Sequence, residues 1–208
     1  MKIEIKDAEL KNKLKDWTQD IIEISSDKLN LIDLEVEIKE ARNPRDYVDL
    51  RGVGGYCPSD ELVRITIDST HRAFGEKPFK QTLVHELHHA RRRQLGINTG
   101  EDTFLECLVS EGLADSFCME LTGDTPIWAK QINDEEAKNL LKMAKPLFGK
   151  KMDDQLYDCW FVSGSYDLPK WSGYSLGYWI ISDYLREHNQ SSAVSLVGMP
   201  ASEMSLMV

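Results

Sequence analysis

The sequence predicts an α+β protein, a small and mostly antiparallel sheet packed on a predominantly helical domain. Between residues 31 and 68 two stretches alternate apolar with polar residues, the period of a half-buried strand. From Lys77 onward apolar residues recur every three or four positions, the period of a helix. At 208 residues the chain is long enough to close one core, and no repeat or low-complexity linker divides it. A single domain over 1–208 is therefore expected, with residues 1–60 supplying an N-terminal helix and the first strand.

Residues 7–24 place Leu10, Leu14, Trp17, Ile21 and Ile24 at helical spacing, an amphipathic helix. In LIDLEVEIKE (31–40), Ile32, Leu34, Val36 and Ile38 share one face, with Asp33, Glu35 and Glu37 on the other. GVGGYCPSD (52–60) is turn chemistry. In ELVRITID (61–68) a second strand sets Val63, Ile65 and Ile67 against Leu62, Arg64, Thr66 and Asp68. Helices are expected at 78–95, 102–121, 134–146 and 173–188, with Gly96, Gly123 and Gly149 where helix stops belong.

Hydrophobic residues make up 41% of the chain and charged ones 29%, ordinary for a soluble domain. No run of eighteen apolar residues suggests a membrane span. The start, MKIEIKDAELKNKLKDW, lacks the apolar core of a signal peptide, so a cytoplasmic protein is expected. Cys57, Cys107, Cys118 and Cys159 form no CxxC pair and read as small buried hydrophobes. A net charge of -10 argues against a nucleic-acid surface. The one basic run, Arg91–Arg93, spreads its side chains by roughly 100° per residue and reads as a solvated helix end.

The stretch LVHELHHARRR (83–93) carries the chemistry. His85, Glu86 and His89 spell H-E-x-x-H, and on a helix the three fall within one roughly 100° arc. Leu83, Leu87 and Ala90 lie opposite that arc, so the helix can pack its back on the core. Two imidazoles one turn apart can grip one zinc ion, and the adjacent carboxylate can reach a water. The blander account is a polar helix that happens to spell the motif. His88 points away from Glu86 and reads as a bystander or a supporting residue.

A catalytic zinc needs a third protein ligand and an open position. ECLVSEGLADSF (106–117) offers Glu111, with Asp115 one turn on as a carboxylate that can hold a ligating histidine. Leu108, Ala114 and Cys118 share the Glu111 face, and a carboxylate among them needs a partner. A rival assignment uses Cys107 and Cys118 in a closed His/Cys structural site; it would leave Glu86 without a role. In LPKWSGYSLGYWIISDYL (168–185), Tyr174 and Tyr178 share a face, and either could aim a phenol at a developing oxyanion. Trp179 and Tyr184 read as core, His71 as a surface histidine near a helix start and His188 as a helix-end residue.

HELHH (85–89), SEGLAD (110–115) and WSGYSLGY (171–178) together resemble a family of zinc-dependent proteases close to the gluzincins, the zincin group that includes thermolysin. The resemblance runs from about residue 60 to the C-terminus. It implies a zincin-like fold, one zinc ion per chain, and a peptide or protein substrate. It implies His85, His89 and Glu111 as zinc ligands, Glu86 as general base, and Asp115 as the carboxylate that orients the first histidine. It also implies an edge strand before the metal helix, so that 61–68 would hold an extended peptide by backbone pairing. Arg64 on that strand would bias side-chain preference, or simply face solvent.

The expected function is a zinc metallopeptidase. An alternative from another class is a zinc-containing peptide- or protein-binding module without turnover, against which the intact Glu86 argues. A hydrolase acting on a non-peptide amide is a third reading.

Overall fold

A long helix between the first two strands decides the direction of the sheet. The computed structural model describes residues 2–5, 8–97, 102–165 and 167–204. Strand β1 (Lys2–Ile5) leads into α1 (Ala8–Leu29), which returns the chain to the start of β2 (Glu35–Glu40). A crossover of this length makes neighbouring strands parallel, and β1 pairs with β2 in parallel from Lys2↔Glu35 to Ile5↔Ile38. Strand β4 (Leu62–Ile67) also runs parallel to β2, and only β3 (Val53–Tyr56) is antiparallel to its neighbour, β4. The sheet, ordered β1-β2-β4-β3, is therefore mixed, and the expectation of a mostly antiparallel sheet is corrected.

These strands, with α1 and α2 (Glu76–Gln94), make one compact unit, Met1–Leu95. Val36, Ile38, Val63, Ile65 and Ile67 form its buried face, as their alternation predicts, and Val53 joins them from the segment read as turn chemistry. On the other face, Lys2 pairs with Glu35 at 2.8 Å and Arg64 with Glu37 at 2.8 Å. Arg64 thus takes the blander of its two readings, a solvent-side residue in an exposed ion pair. Helix α1 buries Leu10, Leu14, Ile21, Ile22 and Leu29, while Ile24, expected on the same face, is exposed. Ile32 is exposed too, because the strand begins only at Glu35.

Strand β3 falls inside the segment read as turn chemistry. Its glycines are there for side chains that press against the strand. A Cβ on Gly54 would collide with the Tyr47 ring, and one on Gly55 would lie 2.5 Å from Cγ and Oε1 of Glu86. Because β3 covers one side of β4 and β2 the other, β4 is not an edge strand. The expected place for peptide pairing at 61–68 is therefore already filled.

The second unit, Gly96–Val208, is helical among its described residues. Helix α3 (Phe104–Thr122) starts on Thr103, whose side chain accepts from the Glu106 N–H, and stops at Gly123 with φ +74°. Helix α4 (Asp134–Ala144) opens on an Asn133/Glu136 capping box. Helix α5 (Asp154–Tyr157) runs into a π-helical turn, Asp158–Val162, and both lie outside the helices expected from periodicity. Helix α6 (Ser172–Glu187) follows. Phe104, Leu108, Leu140, Trp160, Phe161, Leu176 and Ile180 form the core. No helix among the described residues is long and apolar enough to cross a membrane.

Helices α3 and α6 meet backbone to backbone. A Cβ on Gly112 would collide with the carbonyl of Gly177, and one on Gly177 with the carbonyl of Leu108. Replacing a mid-helix glycine by alanine ordinarily stabilises a helix by up to about 1 kcal/mol. At Gly177 the overpacking cost of about 1–3 kcal/mol outweighs that gain. Gly177→Ala is expected to lower the urea midpoint with an unchanged m-value; an equal or higher midpoint would show that the helices do not depend on this contact.

Candidate metal centre

Helix α2 is polar, yet it is buried on nearly every side. Leu83, Leu87 and Ala90 pack inward as expected, and Gln81, Thr82, His88 and Arg92 are buried as well. Arg92 is 0% exposed and Arg91 and Arg93 are half-buried, so the reading of a solvated helix end is corrected. A guanidinium is tolerated at such depth only where polar groups meet it.

His85, Glu86 and His89 are 4%, 8% and 6% exposed. The Nε2 atoms of the two histidines lie 3.0 Å apart, with their rings edge to face at 76°. Two nitrogens bound to one tetrahedral zinc at about 2.0–2.1 Å would stand roughly 3.3 Å apart, so a small adjustment suffices. The ligand atoms of His85, His89 and Glu111 all lie within 4.8 Å of one another, a group that could hold a metal ion. Two imidazoles and one carboxylate fit a catalytic zinc that keeps a coordination position open.

Among the described residues no cysteine belongs to this group. Burial, and after it the Glu86 charge, pushes the Cys57 thiol up to about 12. Burial raises Cys118 to about 12 and raises Cys107 as well. Cys118 Sγ lies 3.7 Å from Thr122 Oγ1, within its own helix. The rival His/Cys site is absent from the metal-capable groups of the described residues.

On α3, Glu111 is half-buried and Asp115 fully buried. Oδ1 of Asp115 accepts the indole N–H of Trp128 at 3.0 Å. Nothing in the spacing of DTPIWAKQ (124–131) marks Trp128, since an isolated tryptophan between helices reads as core. Tyr174 and Tyr178 are both half-buried on α6. The Tyr174 hydroxyl lies 3.3 Å from that of Tyr157, and its ring stands 5.3 Å from Phe161 and 6.2 Å from Trp128. Tyr157, at the end of α5, is a second residue the sequence did not single out.

The remaining histidines and aromatics have local roles. His71 Nδ1 accepts the Ala73 N–H at 3.1 Å in the turn after β4. His188 caps α6, stacked on Tyr184 with Nδ1 2.9 Å from the Tyr184 carbonyl. Trp179 is half-buried and donates to Asp134 Oδ1 at 3.0 Å.

Comparison with known proteins gives one family. The family described as "Predicted Zn-dependent protease (DUF2268)" matches residues 12–205. No curated protein and no solved structure matches the chain. The match takes in both motif-bearing helices, His85–His89 on α2 and Glu111–Asp115 on α3, and the chain belongs to this family of predicted Zn-dependent proteases.

Proposed function

We propose that the chain is a zinc metallopeptidase of the gluzincin kind, with Glu86 as its general base. The observation that carries this reading is the 3.0 Å approach of the His85 and His89 Nε2 atoms, with the Glu111 carboxylate in the same metal-capable group. His85, His89 and Glu111 would hold one zinc ion per chain. Zinc supplies Lewis acidity: it lowers the pKa of a water toward neutrality and polarises a carbonyl.

Glu86 takes a proton from the attacking water on a carboxylate oxygen and passes it to the leaving amine. Asp115 accepts from the free N–H of a ligand histidine and fixes its tautomer and ring orientation. Of the two tyrosines, we assign the oxyanion donor to Tyr174, supported by the hydroxyl of Tyr157 at 3.3 Å.

Strand β3 replaces β4 as the place for an extended peptide. Gly52 O accepts the Asp68 N–H at 2.8 Å, and hydrogen-bonded pairs alternate along an antiparallel ladder. Gly54 and Tyr56 therefore face β4, while the N–H and C=O of Gly55 point off the edge, at an exposed residue beside Glu86. A substrate strand paired there would pass its backbone close to the base.

Three variants test this reading. Wild-type protein is expected to carry about one zinc and Glu111→Ala to lose it or bind it far more weakly, as measured by elemental mass spectrometry. Glu86→Gln should retain zinc and lose turnover of a peptide library by about 100-fold or more. A wild type that binds peptides without cleaving them, with affinity untouched in Glu86→Gln, would identify a binding module instead. Gly55→Ala places a methyl 2.5 Å from Glu86 Cγ and Oε1. It should keep zinc yet lower kcat/KM by about tenfold to 100-fold through displacement of the base, and unchanged kcat/KM would detach β3 from the site.

A further inference from the structure

We infer that Trp128 is a positioning residue of the metal centre: its indole N–H sets the orientation of the Asp115 carboxylate, and through it the zinc affinity of His85, His89 and Glu111. The inference rests on the reading of Asp115 as the carboxylate that orients a ligand histidine.

The argument begins with the cost of the site. Asp115 is fully buried, and a carboxylate at that depth must be met by donors. The donor found on Oδ1 is the Trp128 N–H, at 3.0 Å and itself buried. An indole N–H only donates and carries no charge. It can hold one oxygen without drawing the carboxylate into an ion pair that would compete with a histidine. With Oδ1 committed, the side-chain torsion of Asp115 is set, and Oδ2 is the oxygen to be turned toward a histidine N–H.

Trp128 is itself held rigidly enough to do this. It sits in a 3₁₀ turn, Ile127–Lys130, entered through Pro126. Its carbonyl accepts the buried Ser175 hydroxyl of α6 at 2.8 Å, and the same Ser175 oxygen accepts the Gln131 N–H at 3.0 Å. Its ring packs edge-on to Tyr174. One residue thereby ties α3, which carries Glu111 and Asp115, to the helix that carries the proposed oxyanion tyrosine. A buried indole N–H needs an acceptor in any role; the acceptor it takes here is Asp115, one turn along α3 from Glu111.

The experiment is a double-mutant cycle on zinc affinity, measured by competition with a fluorescent chelator and accompanied by melting curves of the metal-free proteins. Asp115→Asn is expected to weaken zinc binding by about 10–100-fold, and Trp128→Phe by a smaller factor, about threefold or more. In an Asp115→Ala background, which leaves the indole no side-chain acceptor at 115, Trp128→Phe should cost nothing further, because a merely structural loss would persist there. Should Trp128→Phe fail to fold, benzothienylalanine at position 128 removes the N–H with little change in ring size and is expected to give the same loss. Full zinc affinity in the position-128 variants, or an equal loss in both backgrounds, overturns the inference while leaving the metal centre standing. A wild type that binds no zinc, or an Asp115→Asn protein with unaltered affinity, overturns the reading of the site and the inference with it.

Discussion

The fold is organised around the burial of a polar helix. Helix α2 carries His85, Glu86, His88, His89 and Arg92 below the surface, where each loses its water. Such groups cost several kcal/mol apiece unless protein atoms replace the solvent. The same desolvation is what gives them chemical value, because electrostatic interactions strengthen as the surrounding dielectric falls. Features that look incidental elsewhere answer to this constraint. Gly55 gives up a side chain so that the Glu86 carboxylate can lie against β3, and the Cys57 thiol stays protonated beside that charge.

The three carboxylates of the proposed mechanism occupy three different environments, which is how identical chemistry is divided into separate tasks. Glu86 lies beside an exposed strand edge. Glu111 is half-buried and belongs to the metal-capable group. Asp115 is sealed from solvent and held by an indole N–H, which suits an orienting group rather than a reacting one. The close approach of Gly112 and Gly177 brings α3 and α6 together without side chains between them, and Trp128 bridges the same two helices.

What the sequence determined by itself was local. His85 and His89 are one turn apart on any helix, as are Glu111 and Asp115, and the helix period places each pair on one face whatever surrounds it. The alternation in 62–67 likewise identified its buried face, because a strand's side chains alternate regardless of partners. Tertiary structure decided everything that depends on pairing across distance. The parallel run of β1 beside β2 follows from the return through α1, and which strands pair is set by contacts far apart in the sequence. Strand β3 was hidden because its glycines, read as turn residues, are selected by contacts with Tyr47 and Glu86 rather than by strand propensity. Trp128 and Tyr157 were hidden for the same reason: each matters through a partner 13 or 17 residues away, Asp115 and Tyr174, and only folding gives those separations a distance.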